Sequence, residues 1–131
     1  MADIQVNIPD FICLNFANTD MVGHTGVFSA AMKAAETVDS CISRIVPLAL
    51  EKGYSCIIIA DHGNSDYMIN YDGSPNTAHT KNPVPCIFVS NDFSDVKALR
   101  YGRLADVAPT LLELMGMEKG AEMTGVSLLV K

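Results

Sequence analysis

Apolar positions along the chain fall into two periodicities. Short runs of branched residues, 11–16 (F-I-C-L-N-F), 57–60 (I-I-I-A) and 86–90 (C-I-F-V-S), are bounded by Pro, Gly or Asn. They are too short for helices and rich in β-formers, so they predict fully buried strands. Between the first two lies a stretch of the other kind. From Gly26 to Lys52, apolar residues recur at Phe28, Ala31, Ala35, Val38, Ile42, Ile45 and Ala49. That three-and-four spacing predicts one long helix with a single buried stripe, with Glu36, Asp39, Ser43 and Arg44 largely outside it. Pro47 interrupts the hydrogen bonding of its last turns and is expected to kink them, and Gly53 supplies the stop. Strand, loop, long helix and strand make a βαβ unit, so the expected fold is α/β, a mostly parallel sheet flanked by helices.

The remaining segments are weaker. Residues 63–83 form a long irregular region with turn chemistry at Asp72-Gly73 and Ser74-Pro75-Asn76, and residues 67–70 suit one arm of an internal hairpin. Residues 96–99 suit a short edge strand. Residues 104–115 (L-A-D-V-A-P-T-L-L-E-L-M) predict a second amphipathic helix, with Pro109 early and Gly116 at its end. Residues 127–130 are apolar enough to pack back on the sheet, whereas residues 1–10 carry no pattern.

Composition narrows the function. Hydrophobic residues make up 49% of the 131 positions and charged ones 18%, which excludes disorder and fits a single domain. A formal net charge of −6 leaves no basic stripe for nucleic acid. No apolar run approaches a membrane span, and the first residues lack the pattern of a signal peptide, so a cytoplasmic protein is expected. Cys13, Cys41, Cys56 and Cys86 have neither C-x-x-C nor zinc spacing and read as buried, reduced thiols.

The candidate chemistry lies at the element ends. In open α/β sheets ligands gather at the carboxyl ends of strands, and Asp61-His62 follow directly on the isoleucine run. Asp20 and His24 stand four residues apart in a glycine-punctuated loop, one helical turn, and can face the same point. His79 ends the long irregular region. The three histidines of the chain thus occupy similar places, and with Asp20 and Asp61 they form a nitrogen and oxygen donor set suited to Zn²⁺ or Mn²⁺. Spacing alone leaves a second reading open, in which Asp20 caps a helix, Asp61 makes an Asx-turn and the histidines are ordinary.

The runs N-T-D-M-V-G-H-T-G (18–26), A-D-H-G-N (60–64) and A-H-T-K-N-P-V-P (78–85) resemble the carboxy-terminal part of cofactor-independent phosphoglycerate mutase, of the alkaline phosphatase superfamily. Residues 102–116 and 122–129 are similar to its closing segments. The resemblance implies that Asp20, His24 and His79 ligate one divalent ion and that Asp61 and His62 contribute to a second. Manganese is the usual metal, with zinc or cobalt substituting. It further implies that the parent interconverts 3-phosphoglycerate and 2-phosphoglycerate through a phosphoserine, in glycolysis and gluconeogenesis. The serine nucleophile, its neighbouring Asp and the arginine-bearing transferase domain of that family have no counterpart here. None of Ser29, Ser65 and Ser74 sits in a matching motif, Arg44, Arg100 and Arg103 read as surface or salt-bridge residues, and Lys81 reads as a solvated loop lysine. No catalytic residue is therefore assigned. Residues 1–131 are expected to be the C-terminal portion of the phosphatase-like metal-binding domain, inactive alone and prone to self-association through uncovered strands. The alternatives are a fragment of a phosphopentomutase-like enzyme or another phosphohydrolase of the superfamily, and a non-catalytic metal-binding domain.

Overall fold

The computed structural model describes Met1–Lys131, the side chain of Ala2 excepted. Helix α1 (Ala2–Val6) opens the chain, where no pattern announced one. Residues 11–16 then run without regular structure. This corrects the expected first strand: a strand exists only by its ladder, and among the described residues no backbone pairs with this run. Its nearest tether is the Tyr54 hydroxyl, which donates to the Pro9 carbonyl.

Helix α2 (Asn18–Gly23) is the polar loop tightened into a turn and a half, and α3 (Phe28–Glu51) is the long helix, running unbroken through Pro47. Its buried positions are Ala31, Ala34 and Ala49. The stripe follows the expected one at Ala31, Val38, Ile42, Ile45 and Ala49, which are buried or half-buried, whereas Phe28 and Ala35 are exposed. α2 packs on α3, and α3 on strand β1 (Cys56–Ile59).

β1 pairs with β2 (Cys86–Val89), from Cys56 opposite Val89 to Ile59 opposite Cys86, and the pairing is antiparallel. The expected parallel sheet is not confirmed, both sheets of the chain being antiparallel, and for β1 and β2 the reason is topological. A parallel pair needs a crossover over the sheet face, but residues 60–85 contain no helix and turn straight back. An antiparallel bridge between Gly63 and Thr80 carries the same ribbon past the strand ends. Inside the connection, the expected hairpin closes at Ile69 and Pro75, with Gly73 at φ +83° in its turn. β1 and β2 are only half-buried, and Ile59 and Ile87 are exposed. With them goes the expectation of buried thiols: Cys13 and Cys86 are exposed, Cys41 and Cys56 half-buried, and all four are free.

The carboxy-terminal third is a second unit of structure. A 3-10 turn (Leu104–Asp106) leads into α4 (Val107–Leu114), which ends at Gly116, φ +68°. Strands β3 (Ala98–Leu99) and β4 (Leu129–Val130) form a separate antiparallel pair, so the tail packs back on its own partner and not on the first sheet. The fully buried Thr110 joins them: its hydroxyl donates to the Asp106 carbonyl at 2.7 Å and accepts from the Leu128 amide at 2.9 Å. No helix is long and apolar enough to cross a membrane among the described residues.

Candidate metal centre

Three segments bring their histidines to one point. α2 places Asp20 in its first turn and His24 at its carboxy-terminal cap, one turn later, on the same face. The loop after β1 supplies His62, and the far side of the Gly63–Thr80 bridge supplies His79.

Asp20 Oδ1 lies 3.2 Å from His24 Nε2 and 3.1 Å from His79 Nε2, and the two Nε2 atoms are 3.1 Å apart. The three atoms form a nearly equilateral triangle. Metal–ligand bonds of about 2.0–2.2 Å at tetrahedral to octahedral angles would set neighbouring ligand atoms about 2.8–3.6 Å apart. The triangle has the edge lengths of three ligands on one ion. His24 Nδ1 is 2.7 Å from the Thr77 carbonyl, which can only accept, so Nδ1 bears a proton, and with that single proton the ring turns its Nε2 lone pair inward. An inward lone pair facing a carboxylate oxygen is an arrangement that a cation relieves. The donor set fits a divalent first-row ion.

His62 abuts this triangle. Its ring stacks on His79 at 3.7 Å between centroids, its Nε2 lies 3.9 Å from Asp20 Oδ1, and Asp20, His62 and His79 offer ligand atoms all within 4.8 Å of one another. Asp61 Oδ1 lies 3.7 Å from His62 Nε2 with its side chain 84% exposed, so it stands at the rim. All five residues named from the sequence therefore belong to one locality, the three histidines converging on Asp20 and Asp61 reaching it through His62.

Sequence reasoning missed what holds the locality together. A Cβ at Gly23 would sit 1.8 Å from Asn64 Oδ1, and one at Gly63 would sit 2.1 Å from Thr80 Oγ1. Bare backbone at both positions lets the segments close. The Ser65 hydroxyl donates to the Thr19 carbonyl at 3.0 Å, docking the loop on α2. Asn64 is 7% exposed beside it, and its Nδ2 has no partner among the described residues. The one sequence signal was the glycine in each of D-M-V-G-H and D-H-G-N, directly beside a ligating histidine type.

This α/β chain belongs to the Metalloenzyme superfamily, whose profile matches residues 2–119. Its relatives are more particular. It is 60% identical over 129 residues to a 2,3-bisphosphoglycerate-independent phosphoglycerate mutase of Methanosarcina barkeri, a match covering 98% of this chain and 24% of that protein. It is 62% identical over 120 residues to the enzyme of the same name from Syntrophotalea carbinolica, covering 92% of this chain and 23% of the other. A phosphoglycerate mutase of Leishmania mexicana, solved at low cobalt concentration, superposes with a TM-score of 0.77 at 32% identity, covering 88% of this chain and 24% of that one. The chain spans about a quarter of the length of these relatives.

Proposed function

We propose that this chain is the carboxy-terminal portion of the phosphatase-like metal-binding domain of a longer phosphoglycerate mutase, a cytoplasmic isomerase interconverting 3-phosphoglycerate and 2-phosphoglycerate in glycolysis and gluconeogenesis. The Asp20, His24 and His79 triangle carries this reading, together with relatives whose printed names state that activity. Asp20, His24 and His79 hold one divalent ion, and Asp61 and His62 contribute to a second. Mn²⁺ is the favoured metal, with Zn²⁺ or Co²⁺ substituting. Bound divalent ions supply charge stabilisation to a transferring phosphoryl group and acidify a hydroxyl nucleophile.

The chain's own residues contribute orientation. The Thr77 carbonyl fixes the His24 tautomer and ring, as outer partners of ligating histidines generally do. His62 stacked on His79 limits the rotation of both rings. The nucleophile comes from elsewhere in the longer protein. Of the local hydroxyls, Ser65 is engaged with Thr19 and Ser74 donates to Asp72 at 2.6 Å, so neither is free to attack. The substrate-gripping cations also lie elsewhere: Arg100 binds the Ser127 carbonyl at 2.6 Å, and Arg103 reaches Thr124.

Calorimetric titration tests the centre directly. Mn²⁺ is expected to bind the 131-residue chain, and His24→Ala or His79→Ala to weaken it by at least tenfold. Binding unchanged in both variants would remove the assignment. The pure chain is expected to turn over no 3-phosphoglycerate, and measurable turnover would place a nucleophile inside these residues.

A further inference from the structure

His79 is the least secured member of the triangle. Its side chain is 49% exposed, and residues 76–85 around it contain no helix or strand, only the isolated bridge at Thr80. Something local must hold the ring, because an irregular backbone alone does not fix a ligand to within the few tenths of an ångström that coordination requires.

The contacts beside it converge on one carboxylate. The Thr80 hydroxyl lies 2.9 Å from Asp66 Oδ2 and 3.2 Å from Oδ1, and the Asn82 amide donates to Oδ2 at 2.6 Å. The Thr80 amide donates to the Gly63 carbonyl at 2.8 Å, and a Cβ at Gly63 would sit 2.6 Å from Asp66 Oδ1. Asp66 thus grips the residue after His79 from the loop that carries His62, and the glycine leaves room for that grip. Asp66 itself lies outside the ligand cluster of Asp20, His62 and His79.

We propose that Asp66 is a positioning residue: through Thr80 and Asn82 it locks His79 against His62 and Asp20, joining the two halves of the metal centre. The inference rests on the metal-centre reading above. Hydrogen bonds to a carboxylate are among the stronger ones, and two donors on one side chain define an orientation that a single bond would not. Outer partners of metal ligands typically govern affinity by about 10–100-fold.

The test uses the 131-residue chain, titrated with Mn²⁺ and separately with Co²⁺, whose visible spectrum reports ligand geometry. Asp66→Ala is expected to lose about 10–100-fold in Mn²⁺ affinity and to change the Co²⁺ spectrum. Its metal-free unfolding midpoint should stay near that of the parent chain. Asp66→Asn keeps one acceptor oxygen and should fall between the two. Parent-like affinity and spectrum in Asp66→Ala would overturn the inference and leave the metal centre standing. A weakened affinity accompanied by a collapsed metal-free midpoint, or by an unchanged Co²⁺ spectrum, would also overturn it, since the role would then be general stability. No binding by the parent chain would remove the metal centre itself and this inference with it.

Discussion

Gly23 has no side chain, yet it decides how closely α2 approaches the loop after β1. Any Cβ there meets Asn64 Oδ1 at 1.8 Å, which is deep inside van der Waals contact and adjacent to Ser65 Oγ at 2.8 Å. Gly23→Ala must therefore push α2 away or displace the buried Asn64, at a cost of about 1–3 kcal/mol. Because Asp20 and His24 ride on α2, the expected result in chemical denaturation is a lower midpoint, with Mn²⁺ affinity reduced in parallel by calorimetry. Full affinity in a destabilised variant would mean that the triangle tolerates the shift. At this scale the sequence was most informative where function depends on spacing within one segment, as with Asp20 and His24. It was silent where function depends on a distant neighbour. Nothing around Gly23 announces Asn64, and nothing around His24 announces the Thr77 carbonyl.

Asp106 offers a pH test at the same scale. Its Oδ1 accepts from the Val126 amide and its Oδ2 from the Arg103 amide, each at 2.9 Å, and these bonds hold its carboxyl below the usual aspartate range. A depressed folded value means that the contribution to stability is complete above the ordinary aspartate range. It is lost as pH falls through the folded value. Thermal unfolding followed from about pH 7 to about pH 3 should therefore show a falling midpoint at the acid end. Asp106→Asn turns an amide toward one of the two N–H donors, so it should be less stable at neutral pH with a shallower acid dependence. An identical acid profile in the variant would assign the dependence to another depressed carboxyl, such as Glu113.

Among the elements, α4 and the two carboxy-terminal strands are joined by one hydroxyl. Thr110 is wholly buried, donating to Asp106 and accepting from the Leu128 amide. Thr110→Val keeps the shape but leaves the Leu128 N–H without a partner. The expected loss is about 1–3 kcal/mol by denaturant titration, whereas a neutral result would mean that the amide finds another acceptor. Helices were read well because their signal is internal. α3 and α4 lie within a few residues of the ranges that periodicity and the glycine stops predict. Strands were read as types but not as pairs. The β1 and β2 runs are real, yet their antiparallel register follows from how residues 60–85 turn back, which the apolar pattern does not encode. Residues 11–16 have every local mark of a strand and lack only a neighbour.

For the whole molecule, surface area is the informative quantity. A compact monomer of 14.1 kDa should expose about 6,700 Å², whereas this chain exposes 8948 Å², roughly a third more. The excess is apolar in good part: Phe11, Leu14, Met21, Phe28, Met32, Ile59 and Ile87 are all exposed. Exposed apolar side chains in this number, beside strands with free edges, are covered in stable proteins. The longer relatives contain the polypeptide to cover it, since their matched portion is about a quarter of their length. Alone, the chain has only copies of itself. Sedimentation velocity is therefore expected to find dimers or larger species that grow with concentration. Phe11→Ser with Leu14→Ser, in a segment that pairs with nothing here, should shift the distribution toward monomer without lowering the unfolding midpoint. A strictly monomeric parent chain at high concentration would mean that the run 11–16 and the outer faces of β1 and β2 find cover within the chain itself. The Asp20 locality would then belong to a domain that is complete as it stands.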